Sequence, residues 1–382
     1  MRFPEFHGEW CVSTIGEQFD LYSGNTPSRL NKEHFEGNVN WITSGELKEH
    51  YISDTKEKIS EDAATANNLK LLHPGTFVIA IYGLEADGVR GTGSITCKES
   101  TISQACMAFT QKGDVKNEFL YSWYKKHGNI IGIKYAQGTK QQNLSYDILE
   151  KFHIAYPSQD EQDKLIKFIS LLDERIASQS KLIETLESLI KGIVDCTILR
   201  KEKNAIVGDV CSISEQIRAE ANIDDIITVR LHGNGVCKSS AENLQLGATQ
   251  YYRRRAGQLI YGKQNFHNGA IGIVPISLDN GITSKDIPSF DIDEMKCNSV
   301  YLLAQLQSPQ YYKPAEALTT GTGSKRLKEE TFLKLPIVLP NKREQDNIAV
   351  LIHRASMNLD HAKRLLELLS IQKQFLLRQM FI

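Results

Sequence analysis

The chain repeats one stretch of its sequence. PSQDEQDKLIKFISLLDERI (157–176) returns later in the chain as PNKREQDNIAVLIHRASMNL (340–359). The match extends without a gap, at one constant offset, from Gly138–Leu199 to Gly321–Ile382, and both copies contain Glu-Gln-Asp. Because an ungapped match of this length is not expected by chance, the sequence predicts a duplicated structural unit.

The segments ahead of each copy resemble one another only loosely. The opening 12–17 resembles 205–209, and Gly75 before an apolar run resembles Gly257 before another. The sequence therefore predicts an alternation of variable domains and repeated segments. The predicted boundaries are 1–157 for the first variable domain, 158–203 for the first long helix, 204–340 for the second domain and 341–382 for the second helix.

Each repeated segment carries a heptad pattern downstream of a proline, Pro157 or Pro340. Apolar residues recur at alternating spacings of four and three, in the same phase in both copies, which is typical of a coiled coil. Among the ten seam positions of each copy, the polar exceptions are Gln179 and Thr197 in the first and Lys373 in the second. Each predicted helix of about 40 residues would be about 60 Å long.

A helix of that length cannot bury its apolar seam on a small domain, so it needs a partner helix. The simplest partner is the other copy, and the alternative is that both are ordinary core helices. The β-branched runs Thr76–Tyr82 and Ile226–Leu231 predict strands in the variable domains. The predicted fold class is therefore α+β (mixed α/β), with two domains separated by two long antiparallel coiled-coil helices and a pseudo-twofold internal repeat.

The composition is typical of a soluble globular protein, with 41% hydrophobic and 24% charged residues. No stretch approaches about 18 apolar residues, and the first residues lack the apolar run of a signal peptide. The seven cysteines form no C-x-x-C pair, which argues against a zinc site and a disulfide framework and indicates a reducing cytoplasm. The net charge of −1 counts against nucleic-acid binding, which usually leaves a basic footprint.

The order of the segments resembles the specificity subunits of type I restriction-modification enzymes. In that family each target-recognition domain ends in Gly-Thr, followed by an apolar stretch, a proline, Glu-Gln and a long helix. This sequence has the whole series twice: Gly138-Thr139, 152–156, Pro157 and Glu161-Gln162, then Gly321-Thr322, 335–340 and Glu344-Gln345. The segments Gly24–Ser28 and Trp41–Gly45 also look like the family, and the resemblance covers nearly the whole chain.

The resemblance implies a DNA-specificity subunit that binds a bipartite double-stranded DNA target through two target-recognition domains. Two helices of this length would let both domains reach the same face of DNA, whose turn is about 34–36 Å. The implied partners are two methylation subunits, which restriction subunits can join. The implied complex uses S-adenosylmethionine, ATP and Mg²⁺, whereas this chain would carry no cofactor, no metal and no catalytic residue.

The sequence contains no motif that would make it an enzyme by itself. It lacks the Asn/Asp-Pro-Pro-Tyr/Phe tetrapeptide of adenine methyltransferases, and Gly321–Lys325 has the wrong spacing for a phosphate loop. Asp291 and Glu294–Lys296 look superficially like a nuclease site, but a solvated turn is the simpler interpretation. Two alternatives remain: a nuclease or methyltransferase containing such a module, and a coiled-coil adaptor without a DNA role, which the neutral charge favours.

The second variable domain has a local excess of basic residues. Between Ile226 and Phe290 there are seven Lys or Arg against three Asp or Glu. Arginine suits guanine, and asparagine or glutamine suits adenine, so the loops here are candidates for base contacts. The candidates are Arg230, Arg253, Arg254, Arg255, Lys263, Asn265 and His267, with Lys325 and Arg326 in the Gly-rich turn for phosphate.

The first variable domain is less basic, and residues 1 to 60 are acidic on balance. Its candidates are polar, aromatic or basic residues near predicted turns. They are Ser28, Arg29, Thr43, Ser44, Tyr82, Arg90, Lys134, Lys140 and Gln141.

Overall fold

The computed structural model describes residues 2–86, 88–138, 140, 142–239, 249–321 and 325–381. The chain forms two compact units: unit 1 comprises residues 1–178 and 365–382, and unit 2 comprises residues 179–364. Both units mix strands and helices, which confirms the predicted class. None of the helices in the described part of the chain has both the length and the apolar character that crossing a bilayer requires.

Unit 1 is built around a mostly antiparallel sheet. Its strands are β1 (Cys11–Thr14), β2 (Phe19–Ser23), β3 (Val39–Ile42), β4 (Tyr51–Ile52), β5 (Lys58–Ile59), β6 (Phe77–Ala80), β7 (Gly93–Thr96), β8 (Ser100–Ile102), β9 (Cys106–Gln111) and β10 (His153–Tyr156). Its shorter helices are α1 (Ile15–Gln18), α2 (Glu61–Ala66), α3 (Asn117–Tyr135) and α4 (Tyr146–Leu149). The main sheet has the order β2-β9-β6-β7-β4, and a second sheet has the order β5-β3-β8. Helix α3 packs on the main sheet, so the central strand β6 is fully buried.

The long helix α5 (Gln159–Val194) starts in unit 1 and ends in unit 2, where a π-helical turn, Asp195–Leu199, follows it.

Unit 2 has smaller sheets around an equally buried central strand. Its strands are β11 (Ala205–Ile206), β12 (Cys211–Ile213), β13 (Arg218–Ala219), β14 (Ile227–Val229), β15 (Val236–Lys238), β16 (Tyr251–Arg253), β17 (Leu259–Tyr261), β18 (Ile271–Ile273), β19 (Ile282–Ser284), β20 (Ser289–Ile292) and β21 (Pro336–Ile337). Its helices are α6 (Ser299–Leu306), α7 (Pro309–Tyr312) and α8 (Glu329–Leu333), before the long helix α9 (Lys342–Met380), which ends in unit 1. The sheet orders are β12-β20-β17-β18 and β13-β16-β19.

Within each unit the two long helices run antiparallel. In unit 1, Leu165 and Ile169 of α5 share a core with Leu376 and Met380 of α9. In unit 2, the end of α5 instead packs with the beginning of α9, around Ile348 and Ile352. The compact units therefore cut across the predicted segments 158–203 and 341–382, and those boundaries stay predictions about the repeat.

The tripeptide Glu-Gln-Asp forms the same structure in both copies, which we call the glutamine joint. The side chain of Gln162 is buried, accepts a hydrogen bond from the Lys116 amide (2.9 Å), and donates to the carbonyls of Asp114 (3.1 Å) and Pro157 (3.0 Å). Gln345 accepts from the Asn298 amide (2.9 Å) and donates to the carbonyls of Lys296 (3.1 Å) and Pro340 (2.8 Å). Each joint thus binds the start of a long helix to the loop that begins α3 or α6.

One buried hydroxyl in unit 1 provides a test of the core. The hydroxyl of Tyr124 is buried without a hydrogen-bond partner, and the residue belongs to the apolar core and lines a void of about 10 Å³. Because an unpaired buried hydroxyl costs about 1–3 kcal/mol, Tyr124→Phe is expected to leave the free energy of unfolding unchanged or raise it by about 1 kcal/mol. The control is Tyr301→Phe in unit 2, where the hydroxyl donates to the Val338 carbonyl (3.0 Å) and its loss should be destabilising. Equal destabilisation by both substitutions in denaturant titrations would contradict this.

Candidate nucleic-acid interface

Each unit presents a Gly-centred turn beside the end of its central strand. In unit 1 the backbones of Gln137 and Asn143 pair across the turn, and in unit 2 those of Thr320 and Arg326 pair at the equivalent positions. Gly138 (φ 120°) and Gly321 (φ 124°) occupy the left-handed region that favours glycine. We call the described residues of these two segments, 137, 138, 140, 142 and 143 in unit 1 and 320, 321, 325 and 326 in unit 2, the glycine turns. The predicted contact Gln141 lies outside the described residues.

Backbone hydrogen bonds attach both glycine turns in the same way. The Leu144 amide donates to the Ile81 carbonyl (2.9 Å), directly after β6, and the Leu327 amide donates to the Lys263 carbonyl (2.9 Å), shortly after β17. The turn and the loop after the central strand therefore form one surface in each unit. This is the place where the sequence predicts phosphate and base contacts.

In unit 2 the cations of this surface have carboxylate partners. Lys325 and Glu316 form an ion pair (2.9 Å), which lowers the pKa of Glu316 from its ordinary value. Arg326 lies 3.3 Å from Asp286, and both side chains are about half exposed. Exposed pairs of this kind contribute little to stability, so a phosphate can compete for the cations. Lys263 differs, because its side chain is only 12% exposed and pairs with Glu329 (2.6 Å).

The loop between β17 and β18 lies beside the same glycine turn. Its base is held by Phe266, which is fully buried, and by Gly269 in the left-handed conformation. Asn265 is exposed, and the side-chain amide of Asn268 donates to its oxygen (3.2 Å). His267 is half-buried and close enough to Glu316 to lower the pKa of that carboxyl. Lys263, Asn265, His267, Lys325 and Arg326 are thus brought together, and we call them the turn surface.

The arginine run is not part of the turn surface. Arg253 and Arg255 are exposed before the first residue of β17, whereas Lys263 follows its last residue. The Arg253 guanidinium lies 3.5 Å from the side-chain oxygen of Asn280. Arg230 is also exposed, after β14, and its Nε donates to the sulfur of Cys237 (3.1 Å).

Arg254 requires a correction, because its side chain is completely buried and cannot lie against DNA in this conformation. Its guanidinium donates to the hydroxyls of Thr283 (2.7 Å) and Ser289 (2.9 Å) and to the Ile287 carbonyl (3.0 Å). Burial lowers its pKa to about 10. We therefore assign Arg254 to the interior of unit 2, where it joins β16 to the segment that begins β20.

In unit 1, Arg29 and the pair Thr43–Ser44 are placed by local contacts. Arg29 forms a two-pronged ion pair with Glu57 (2.7 and 2.8 Å), and its guanidinium lies over the rings of Phe35 and Trp41. Ser28 beside it is exposed. Thr43 caps a short 3₁₀ helix, with its amide and hydroxyl donating to Glu46 (2.8 and 3.0 Å), and Ser44 is half-exposed in that helix.

The remaining unit 1 candidates lie around α3 and the glycine turn. Tyr82 is half-buried against the core, two residues after the end of the central strand. Arg90 lies beside Gly132 of α3, where a Cβ would come within 2.9 Å of its side chain. Lys134, in the last turn of α3, and Lys140, in the glycine turn, are exposed.

Sequence reasoning missed His232 as a neighbour of the turn surface. Its backbone has a positive φ (59°), uncommon for a residue other than glycine, and its amide donates to the Asn268 carbonyl (2.8 Å). The signal was available in the string His232-Gly233-Asn234-Gly235, which is typical of a tight turn.

The nuclease-like string does not assemble a site. Asp291 accepts a hydrogen bond from Gln258 (2.9 Å), and Lys296 pairs with Asp293 (3.3 Å) rather than with Asp291. Across the described ranges, no three metal-binding side chains come together. The solvated turn therefore remains the simpler interpretation.

A family model for the "Type I restriction modification DNA specificity domain" matches residues 7–188. Two curated relatives come from Methanocaldococcus jannaschii. The Type I restriction enzyme MjaIX specificity subunit is 28% identical over 185 residues, which are 47% of this chain and only 42% of that relative. The MjaVIII specificity subunit is 20% identical over 385 residues, covering 91% of this chain and 87% of the relative. The crystal structure of a type I restriction-modification S subunit from M. genitalium has the same fold, with a TM-score of 0.66, 15% identity, and coverage of 100% and 99% of the two chains.

Proposed function

We propose that this chain, which is similar to type I restriction-modification DNA specificity proteins, is the subunit that selects the DNA sequence for such an enzyme. Its target would consist of two short groups of base pairs separated by DNA that is not read. One unit would read each group, since each has its own central strand and glycine turn.

The observation that carries this proposal is the duplicated arrangement of glycine turn and glutamine joint. Each glycine turn is hydrogen-bonded to the loop that follows the central strand of its unit. Each glutamine joint fixes the start of one long helix to the unit in which that helix begins. A fold that repeats its binding edge but varies the side chains on it is suited to reading two different sequences. In unit 2 the turn surface supplies Lys325 and Arg326 for phosphates, and Asn265 and His267 for base edges.

The neutral charge of the whole chain, which by itself favours an adaptor, is compatible with this proposal. The cations of the turn surface are neutralised by Asp286, Glu316 and Glu329 in the free protein. DNA phosphates would replace those carboxylates, at the cost of breaking exposed ion pairs that are individually weak. We expect weak DNA binding by the isolated chain and tighter binding once partner subunits add phosphate contacts.

The chemistry would belong to partner subunits rather than to this chain. We propose two methylation subunits, with restriction subunits as possible further members, acting in the cytoplasm on double-stranded DNA. In such a complex, S-adenosylmethionine would supply the methyl group, and ATP with Mg²⁺ would supply translocation and cleavage. We propose no cofactor or metal site on this chain.

Genome-wide mapping of adenine methylation tests the proposal. A host expressing this chain with its methylation subunit is compared with a host lacking only this chain. We expect one split motif to be methylated in the first host and unmethylated in the second. Unchanged methylation of every split motif, with the methylation subunit present and active, would reject the proposal and favour the adaptor.

A variant of the turn surface links the motif to these residues. Lys325→Ala with Arg326→Ala removes two cations, so we expect methylation of the split motif to fall at all of its sites in the genome. We also expect the salt dependence of DNA binding to become less steep by about two phosphate contacts. The control is Lys342→Ala, which removes a partly exposed cation at the start of α9, outside the glycine turn, and should leave methylation unchanged.

A further inference from the structure

A charged network joins four segments of unit 1. His50, just before β4, lies between Glu118 of α3 (Nε2 to Oε2, 2.8 Å) and Asp173 of α5 (Nδ1 to Oδ2, 3.5 Å). Asp173 also forms an ion pair with Lys373 of α9. The side chains of Asp173 and Lys373 are only 23% and 20% exposed, so water screens the pair incompletely.

Aromatic rings hold the imidazole in place. His50 is stacked between Tyr51 (ring centroids 4.1 Å apart) and Tyr121 (3.9 Å), with the rings nearly parallel. The ammonium of Lys125 lies 5.1 Å from the Tyr121 ring centroid. The ring of His50 therefore cannot turn away from the two carboxylates without disrupting the stack.

The network explains why the apolar seam of α9 contains Lys373. The equivalent position in α5 is Ile190, and the equivalent of Asp173 in α9 is Ser356. In unit 2 these two residues line a cavity of about 420 Å³, together with Gln307, Ile352 and Leu359. The same junction is thus filled by a charged network in unit 1 and left open, with largely apolar walls, in unit 2.

We propose that His50, Asp173 and Lys373 are positioning residues that form a proton-dependent clamp on unit 1. With His50 protonated, the clamp holds the end of α9 and the segment Thr43–Ile52 against α3 and α5. When His50 loses its proton, one ring nitrogen becomes an acceptor that faces a carboxylate, and the clamp loosens. The consequence for DNA rests on the proposed function, because Thr43–Ile52 carries the candidate contacts Thr43 and Ser44.

The sign of the pH dependence follows from the groups that face His50. Burial lowers the pKa of His50, but the nearby carboxylates outweigh it: Asp173 lies 3.5 Å from Nδ1 and Glu118 is hydrogen-bonded to Nε2, so the pKa is raised above the ordinary value of about 6.5. Stability from His50 is therefore fully present below about pH 6.5 and is lost as the pH rises through the raised pKa. Burial raises the pKa of Asp173, but the nearby cations of His50 and Lys373 outweigh it and lower the pKa below its ordinary value, so this carboxylate stays ionised throughout.

The other titratable groups near His50 limit the pH range over which the clamp can be tested. Burial, with repulsion from Lys373, lowers the pKa of Lys125 to about 8, so its deprotonation contributes stability above that pH and opposes the loss from His50. Burial raises the pKa of Tyr51 to about 12 and that of Tyr121 further, so neither titrates below pH 8. Glu49 faces Tyr121 and Lys125, and Cys97 faces Tyr51. In the range between about pH 6 and about pH 8, the deprotonation of His50 is therefore opposed only at the upper end, where Lys125 begins to lose its proton.

Hydrogen exchange of the full chain across this range measures the clamp directly. Protection factors, corrected for the intrinsic effect of pH, are followed for residues 44–52 and 365–381 of unit 1, and for 182–194 of unit 2 as an internal reference. We expect protection in unit 1 to fall as the pH rises, on the order of tenfold, as for the loss of one charge-assisted hydrogen bond. Protection in unit 2 should stay constant.

Unit 2 supplies the substitutions for the variant. Asp173→Ser with Lys373→Ile copies Ser356 and Ile190 into unit 1, and we expect it to abolish the pH dependence at residues 365–381 and to leave a weaker one at residues 44–52, where Glu118 still faces His50. His50→Gln, which cannot become a cation, should make unit 1 behave at every pH as the wild type does at about pH 8. The control is Lys363→Ile, which breaks an exposed ion pair with Glu187 in unit 2 and should leave the pH dependence of unit 1 unchanged.

Constant protection of unit 1 in the wild type, or a pH dependence that survives both variants, would overturn the clamp. DNA affinity measured over the same pH series separates this from the proposed function. Sequence-specific binding that weakens in parallel with protection supports the link to Thr43 and Ser44. Binding that stays constant while protection falls refutes that link. Absence of sequence-specific binding at every pH would count against the proposed function, while the exchange data would still decide the clamp.

Discussion

Gln345→Leu is expected to lower the free energy of unfolding of unit 2 by about 3–5 kcal/mol, because it removes the side-chain amide that makes all three hydrogen bonds of the glutamine joint. The substitution leaves the Asn298 amide without an acceptor and the carbonyls of Lys296 and Pro340 without a donor. Each buried backbone group without a partner costs about 1–3 kcal/mol. Gln162→Leu should have the same effect on unit 1, since its three partners are equivalent.

Tryptophan fluorescence can separate the unfolding of unit 1 from that of unit 2. Trp10, Trp41 and Trp123 are the three tryptophans of the chain, and all belong to unit 1. Denaturation followed by tryptophan fluorescence reports unit 1, whereas circular dichroism reports the helices of both units. We expect Gln162→Leu to shift the fluorescence transition, and Gln345→Leu to shift mainly the dichroism transition.

A matched surface substitution controls for the change of residue type. Gln374→Leu makes the same replacement at an exposed position of α9 and should alter stability by less than about 0.5 kcal/mol. Gln345→Glu tests the two hydrogen bonds that the Gln345 side chain donates. A glutamate keeps an acceptor for the Asn298 amide but cannot donate to the carbonyls of Lys296 and Pro340. If Gln345→Leu were no more harmful than Gln374→Leu, the joint would not be holding helix and domain together.

The second large effect concerns Arg254, whose replacement by methionine is expected to destabilise unit 2 by about 3 kcal/mol. Methionine fills a similar volume but leaves Thr283, Ile287 and Ser289 without the donors that the guanidinium supplies. Arg254→Lys should rescue little, since an ammonium cannot reproduce the planar set of donors. Hydrogen exchange and dichroism-monitored unfolding both measure the loss.

The neighbours of Arg254 provide a control in which DNA binding is expected to change and stability is not. Arg253→Met and Arg255→Met remove exposed side chains, so they should change stability by less than about 0.5 kcal/mol. If these two residues contact DNA, they should weaken binding while Arg254→Met acts through folding. Weaker DNA binding by Arg254→Met with no change in unfolding would show that our assignment of this residue to the interior is wrong.

The long helices were predictable because their determinants lie close together in the sequence. A heptad pattern repeated in phase needs only local periodicity, and Asn341, whose side chain accepts from the Glu344 amide (3.0 Å), could be recognised as a helix cap. The strands Phe77–Ala80 and Ile227–Val229 also fall inside the predicted β-branched runs. The sequence did not predict which half of each helix packs in which unit, because that depends on side chains distant in sequence.

The site was less predictable, and Arg254 shows why. Three consecutive arginines look alike in a sequence, whereas the inward direction of one of them depends on acceptors in a later segment of the chain. The Glu-Gln motif was recognised, but its role in the glutamine joint depends on backbone groups far upstream of each glutamine. The His50 network left one trace in the sequence, the polar Lys373 in an apolar seam.

The position of Leu376–Phe381 in the core of unit 1 affects how the chain is made. Unit 2 is continuous in sequence and can fold as soon as residue 364 has left the ribosome. The larger part of unit 1 is synthesised before unit 2, but its core lacks Leu376, Leu377 and Phe381 until those residues are translated. At about 5–20 residues per second, the nascent first domain waits about 10–40 s with that apolar face uncovered. The core of unit 1 is therefore completed after all residues of unit 2 have been synthesised, although most of unit 1 is synthesised first.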